Sequence, residues 1–94
     1  SNALETGFRN IAAASSTDQA NRMINETLGL FESNNVPVLI IISQAGGFND
    51  YDRPTTIAKY LNYLKDQKTS KNEVHDIKYN GNGKISELEL IKNK

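Results

Sequence analysis

Residues 80–89 read Asn80-Gly81-Asn82-Gly83-Lys84-Ile85-Ser86-Glu87-Leu88-Glu89, and this stretch decides the fold because it fits two incompatible structures. One structure is the loop of an EF-hand calcium site, and the other is the turn of a β-hairpin. An EF-hand requires a helix on each side of its loop, whereas a hairpin requires two strands. The choice between them therefore fixes the secondary structure of the C-terminal part of the chain.

The EF-hand alternative is a degenerate calcium site at residues 78–89, with Gly83 at the glycine of the loop pattern. The first ligand position of that pattern, which normally supplies a carboxylate, is then Lys78. An ammonium group at this position opposes the binding of a divalent cation. The preceding residues 73–79 also alternate in polarity in the manner of a strand. Calcium binding is therefore the least favoured interpretation, and we predict no metal site and no cofactor.

The hairpin alternative uses the same residues with fewer violations. Asn-Gly between two alternating runs is a strong hairpin signal, because both central residues of a type I′ turn have positive φ. A turn at Asn82-Gly83 gathers the larger apolar side chains of the two runs on one face. We therefore predict a C-terminal hairpin with this turn. The predicted cross-strand pairs are Tyr79 with Ser86, Ile77 with Leu88, and His75 with Leu90.

Helical and strand periods predict the remaining elements. Apolar residues recur at helical spacing from Leu4 to Ala12, and Ser16 followed by Gln19 fits a capping box that starts a second helix. Residues 36–42 are apolar except for Pro37, which indicates a strand buried on both faces. An amphipathic helix is predicted from Thr55 to about Lys68.

Together these elements predict an α+β fold. It has two N-terminal helices, one central apolar strand, one amphipathic helix and the C-terminal hairpin, which form a small curved and mostly antiparallel sheet packed by helices. If one face of so small a sheet stays apolar, a second copy of the chain can cover it. We therefore predict a homodimer through the sheet face, and a small apolar ligand as an alternative occupant.

Length and composition limit the classes of function. The chain has 94 residues, which predicts a single domain over residues 4–94. Eleven basic and eleven acidic residues give a formal charge of zero, which argues against binding to nucleic acid. The chain has no cysteine, so disulfides and thiolate metal sites are excluded. The apolar run is too short to span a bilayer, so a soluble domain is expected.

The first three residues, Ser-Asn-Ala, look like the remnant of a cleaved affinity tag, which predicts that the natural chain begins near Leu4. The compartment is therefore left open. An export segment before Leu4 in the full gene product would indicate an exported or periplasmic protein, and its absence would support the cytoplasm.

One histidine dominates the candidate site. His75 is the only histidine, and its side chain normally titrates near neutral pH. In the predicted register it shares the inward face of the hairpin with Tyr79 and Ser86, and Tyr60 of the amphipathic helix could also reach that interior. We predict a small ligand pocket formed by His75, Tyr79, Ser86 and Tyr60. No residue is predicted to be catalytic on this reading, because no carboxylate is fixed beside the imidazole by the sequence.

The order of elements and the hairpin sequence Ile77-Lys78-Tyr79-Asn80-Gly81-Asn82-Gly83-Lys84-Ile85-Ser86-Glu87-Leu88 carry a resemblance. The chain resembles the nuclear-transport-factor-2-like, or SnoaL-type, cystatin-like proteins. The resemblance implies that the concave face of the sheet forms a pocket, which some members of that group use for catalysis and many use for binding or for dimer assembly.

Two hypotheses for function follow. The first is a non-catalytic binding or assembly module. The second is a small pocket enzyme of the SnoaL type, in which His75 would act with Asp50 or Asp52 as acid and base. The simpler role of Asp52, just before Arg53-Pro54-Thr55, is to complement the N-terminus of the following helix. We favour the binding module.

Overall fold

The computed structural model describes residues 2–92, in which three helices pack on one face of a mixed five-stranded sheet. This arrangement confirms the predicted α+β fold class. Ser1 of the predicted tag remnant, and residues 93 and 94 of the predicted domain, lie outside the described residues. The elements are α1 (Asn2–Ala13), α2 (Thr17–Leu28), β1 (Pro37–Ser43), β2 (Asp50–Tyr51), β3 (Thr55–Thr56), α3 (Ile57–Gln67), β4 (Asn72–Tyr79) and β5 (Ile85–Lys92).

The strand order β2-β1-β5-β4 places β1 beside the second strand of the hairpin. β1 and β5 run parallel, with Val38 opposite Leu88, and the crossover between them contains α3 and β4. The other pairings, including that of β3 with the start of β1, are antiparallel. The short strands β2 and β3 were not predicted from the sequence, because a two-residue strand has too few positions to show a period.

The start of α2 forms as predicted. The hydroxyl oxygen of Ser16 accepts a hydrogen bond from the backbone N–H of Gln19 at 3.1 Å. The side chain of Gln19 reaches back to the backbone N–H of Ser15 at 2.9 Å, rather than to that of Ser16. The cap thus satisfies the N–H group of Gln19 in the first turn of the helix and that of Ser15 just before it.

The start of α3 differs from the prediction. The helix begins at Ile57, and Thr56 caps it by accepting a hydrogen bond from the backbone N–H of Lys59 at 3.3 Å. The predicted helix-capping role of Asp52 is wrong, because its carboxylate accepts instead from the backbone N–H of Arg53 at 2.8 Å. The pairing of β3 with β1 holds Thr56 extended, which delays the first helical residue to Ile57.

Two β-bulges change the predicted register of the hairpin. Ile77 lies opposite Leu88, as predicted, but Val74 rather than His75 pairs with Leu90. His75 is the extra residue of the first bulge, between Val74 and Asp76. A bulge of one residue turns the following side chains to the other face of the sheet, so Val74 packs on the core and His75 points away from it.

The second bulge lies at the other end of the hairpin. Tyr79 pairs with Ile85 rather than with Ser86, and Ser86 is the extra residue. Ile85 is buried, whereas Tyr79, beside the hairpin loop, is 60% exposed. The predicted inward face of His75, Tyr79 and Ser86 is therefore wrong, because the first bulge turns His75 away from the core, the second leaves Ser86 unpaired, and Tyr79 is exposed to solvent.

The turn itself is a three-residue loop rather than the predicted two-residue type I′ turn. The backbone N–H of Asn80 donates to the carbonyl oxygen of Lys84 at 2.8 Å, which encloses residues 81–83. Of these residues only Gly83 has a positive φ, of 78°. The Asn80 side-chain oxygen accepts from the backbone N–H groups of Asn82 and Lys84, which fixes the loop.

The EF-hand alternative at residues 78–89 does not agree with the fold. The flanking segments β4 and β5 are paired strands, whereas an EF-hand loop requires helices. Within residues 2–92, no group of three or more His, Cys, Asp or Glu side chains is placed to hold a metal ion.

The hydrophobic core lies between the helices and one face of the sheet. Phe8 of α1 contacts Tyr60 of α3 edge to face, with the ring centroids 5.4 Å apart. The core cluster consists of Leu4, Phe8, Ile11, Ile24, Phe31, Val36, Val38, Ile57, Tyr60, Leu61, Leu64, Ile85, Leu88 and Leu90.

Within residues 2–92, none of the helices has the length and apolar character that crossing a bilayer requires.

The other face of the sheet is not covered by a helix of the described chain. Alternation along β5 places Glu87, Glu89 and Ile91 on this face, which we call the open face. The prediction that β1 is buried on both faces holds for Ile41, which is fully buried, but not for Ile42, which is 49% exposed.

Candidate functional site

A groove of about 620 Å³ lies between α3 and the end of the sheet where β1 and β5 finish. This volume falls within the range of about 300–1,000 Å³ that is usual for small-molecule sites. The chain supplies both walls, one from α3 and the other from strand residues and the loops at their ends. The groove is lined by Ile40, Ile42, Asp52, Arg53, Thr55, Lys59, Tyr60, Tyr63, Leu64, Gln67, Thr69, Lys71, Asn72 and Lys92.

Apolar side chains from both layers line the inner part of the groove. Ile40 and Ile42 come from the helix-covered face of β1, and Leu64 comes from α3. The rings of Tyr60 and Tyr63 lie nearly parallel, 24° apart in orientation and 6.4 Å between centroids. Ile42 is 49% exposed and Tyr63 is 55% exposed, so this apolar surface is in contact with solvent.

The rim of the groove is positively charged, although the whole chain has a formal charge of zero. Arg53, Lys59, Lys71 and Lys92 line it, and Asp52 is its one carboxylate among the described residues. The ion pairs within residues 2–92 involve His75 and Lys78, which are not groove residues. The four groove cations are therefore not neutralised by an ion pair within that range.

A buried phenol lies at the inner wall of the groove. Tyr60 is 2% exposed, and its hydroxyl oxygen accepts a hydrogen bond from the Asn72 side-chain amide at 3.1 Å. Burial raises the pKa of Tyr60, while the hydrogen bond from Asn72 acts in the opposite direction. The Tyr60 hydroxyl therefore keeps its proton at physiological pH.

A second polar cluster lies on the open face of the sheet. Glu89 of β5 is bonded on both sides: the Tyr51 hydroxyl donates to Oε2 at 2.7 Å, and His75 Nδ1 lies 2.8 Å from Oε1. Tyr51 belongs to β2 and His75 to β4, so the three side chains span the sheet across β1. We call these three residues the open-face cluster.

Hydrogen bonding sets the charge state of this cluster. The hydrogen bond from Tyr51, followed by that from His75, lowers the pKa of Glu89 against the opposing effect of burial. The same bond to Glu89 is the main cause of the raised pKa of Tyr51. Glu89 is therefore a carboxylate, and Tyr51 is a neutral phenol, at physiological pH.

The open-face cluster has a carboxylate-oriented imidazole, as many acid–base sites do. However, the His75 side chain is 38% exposed and Tyr51 is 43% exposed. Neither of these residues lines the groove. A substrate bound at the cluster would stay in contact with water, whereas efficient catalysis usually takes place in a site that excludes it.

The structure does not bring the four predicted pocket residues together. Tyr60 lines the groove on the helix-covered side of the sheet, whereas His75 lies on the open face. Tyr79 is exposed near the hairpin loop, and the Ser86 hydroxyl donates to the carbonyl oxygen of Lys78 at 3.2 Å.

The two aspartates proposed as partners of His75 have other positions. The carboxylate paired with His75 is that of Glu89, whereas the predicted pairing of His75 with Leu90 puts the adjacent Glu89 on the opposite face. Asp50 is exposed in β2, and Asp52 lines the groove. The first bulge explains the difference, because it moves His75 to the side of Glu89.

Sequence reasoning missed the basic rim and the open-face cluster, although one signal for the bulges was present. Val74 and Ile77, and likewise Ile85 and Leu88, are apolar residues three positions apart within strands. A regular strand places only every second residue on one face, so a spacing of three between core residues requires a bulge. The four cations of the rim are scattered from residue 53 to residue 92, and only the fold brings them together.

Comparison with known proteins found no family model, no curated protein and no solved structure that matches this chain. The resemblance to nuclear-transport-factor-2-like proteins therefore stays a prediction.

Proposed function

We propose that this protein is a non-catalytic binding module that holds a small, largely apolar molecule in the groove between α3 and the sheet. The observation that carries the proposal is the exposed apolar surface inside a concave site. Ile42 and Tyr63 are each about half exposed there, beside the buried ring of Tyr60. Solvent-exposed apolar surface in a concave site of this volume is what small ligands usually cover.

The separation of the two polar features supports binding rather than catalysis. The acid–base pair His75 and Glu89 lies on the open face, while the concave site lies on the helix-covered face. A molecule held in the groove would thus be kept from the imidazole by the sheet itself. An enzyme of the SnoaL type would need the imidazole and the pocket on the same side.

Binding of the neutral dye Nile red, followed by its fluorescence, tests the proposal. Ile42→Asn changes a groove residue, and Leu30→Asn is the matched control, since Leu30 is 51% exposed but does not line the groove. We expect saturable binding to the natural sequence and to Leu30→Asn, and at least several-fold weaker binding to Ile42→Asn. Equal binding to both variants, or no saturable binding at all, would refute the proposal.

Assembly is a second candidate role, favoured by the apolar residues of the open face. Leu39 and Ile91 are half-buried there, and β1 places Ile41 between Ile91 and Tyr51. A second copy of the chain could cover them in a symmetric homodimer. Glu73, which pairs with Ile91, also lies on this face, and Glu87 forms an ion pair there with Lys78 at 3.1 Å.

The homodimer is testable through its oligomeric state at two salt concentrations. Burial of apolar side chains would drive this contact, so the dimer should persist when added salt screens the charges. Sedimentation velocity at micromolar concentration, in about 0.05 M and about 1 M sodium chloride, measures this. A monomer at both salt concentrations would exclude the homodimer and leave the groove proposal unaffected.

A further inference from the structure

We propose that the ligand of the groove is a small amphipathic acid, whose anionic oxygens meet the cationic rim and the Tyr60 hydroxyl while its apolar body lies against Ile42 and Tyr63. This inference rests on the proposed binding function and specifies the chemical class of the ligand. It depends on two independent features, the charge of the rim and an unused hydrogen-bond donor.

The first feature is the imbalance of charge around the groove. Arg53, Lys59, Lys71 and Lys92 supply four positive charges against the single carboxylate of Asp52. These cations form no ion pair with a carboxylate of residues 2–92. A concave site lined by one sign of charge concentrates ions of the opposite sign, so an anion is favoured over a neutral or cationic molecule of the same shape.

The second feature is the Tyr60 hydroxyl at the inner wall. A phenol can donate one hydrogen bond as well as accept one. Its oxygen accepts from Asn72, and the hydroxyl hydrogen has no acceptor among the described residues. Tyr60 is buried at 2% exposure and lines the groove, so we assign a molecule bound in the groove as the acceptor for this donor. Hydrogen bonds between a neutral donor and an anionic oxygen are stronger than neutral ones.

The two features suit a head group and a tail. Tyr60 and the four cations line the same groove. The carboxylate of one ligand molecule could therefore accept a hydrogen bond from the Tyr60 hydroxyl and attract a lysine or arginine at the same time. The apolar surface of Ile42 and Tyr63 is then left for a hydrocarbon body. A molecule with only one of the two parts would leave either the charges or the apolar surface unused.

Isothermal titration calorimetry with decanoate and decanol tests the inference, because the two probes share a chain length and differ in charge. We expect decanoate to bind about tenfold or more tightly than decanol. We also expect its affinity to fall as salt is added, while that of decanol changes little. If decanol binds as tightly as decanoate, the inference fails and the groove proposal stands. If neither probe binds, both fail.

Two pairs of variants assign the effect to the groove. Tyr60→Phe should weaken decanoate binding about tenfold and leave decanol binding nearly unchanged, whereas Tyr63→Phe should leave the binding of both probes nearly unchanged. Lys59→Gln should weaken decanoate binding, whereas Lys65→Gln should not, since Lys65 lies on the same helix, bonds to Asn21 and does not line the groove. Equal losses of decanoate affinity within each pair would overturn the inference. If Tyr60→Phe proves unstable, the two lysine variants decide alone, because neither changes the core.

Discussion

The hairpin loop allows a sharp test of the structure through substitution of its glycines by alanine. Gly83 has φ of 78°, a left-handed conformation that L-residues disfavour, whereas Gly81 has no positive φ. A Cβ added at either glycine would meet no atom within 4 Å. The two variants therefore differ in backbone strain and not in packing.

The magnitude follows from two contributions. Replacing glycine by alanine at a compatible position stabilises a protein by about 0.4–1 kcal/mol, because the unfolded chain loses freedom. An alanine held in the left-handed region costs about 1–2 kcal/mol. Gly81→Ala should therefore be neutral to stabilising. The first contribution is common to both variants, so Gly83→Ala should be less stable than Gly81→Ala by about 1–2 kcal/mol.

Thermal unfolding followed by circular dichroism measures this difference. In a domain of this size, 1 kcal/mol shifts Tm by about 4–8 °C, so Gly83→Ala should melt at least about 4 °C below Gly81→Ala. Asn82→Ala adds a third arm, because a type I′ turn would require a positive φ at Asn82 and the observed loop does not. Equal melting of the two glycine variants, or a loss in Asn82→Ala as large as in Gly83→Ala, would refute the three-residue loop.

Two other substitutions test the core and the open-face cluster. Leu88→Ala, at a fully buried position, should lower the free energy of unfolding by about 3–5 kcal/mol, measured by urea denaturation; a loss below about 1 kcal/mol would contradict its burial. In the second, the folded pKa of Glu89 lies below its ordinary value of 4.5, so its carboxylate contributes stability above that pH and loses it as the pH falls through the folded pKa. The free energy of unfolding of Glu89→Gln should therefore approach that of the natural sequence as the pH is lowered from about 6 to about 3. A difference that does not change with pH would show that the bonds from Tyr51 and His75 contribute nothing to folding.

Much of the fold could be predicted because the local signals agree with the tertiary structure. The apolar run of residues 36–42 supplies most of β1, the Ser16 cap starts α2, and Ile77 pairs with Leu88. These features depend on period and capping, which a few neighbouring residues determine. The parallel pairing of β1 with β5 depends on distant segments, and the sequence carries no local sign of it.

The candidate site was predicted much less well, for a physical reason. The extra residue of the first bulge reverses which side chain faces the core, so the prediction of a hairpin was correct but placed His75 on the wrong side of the sheet. Tyr60 is the one predicted pocket residue that lines the groove. Its neighbours there, such as Lys71 and Arg53, come from loops whose positions depend on the whole fold.

The position of a bound acid is the most direct test of the groove, and an amide NMR spectrum of the ¹⁵N-labelled chain, recorded with and without decanoate, measures it. The proposal requires saturable shift changes on both walls of the groove, at Ile42, Tyr63 and Asn72, with Leu39 and Glu87 of the open face unchanged. Changes confined to Leu39 and Glu87, or an unchanged spectrum at saturating decanoate, would contradict it.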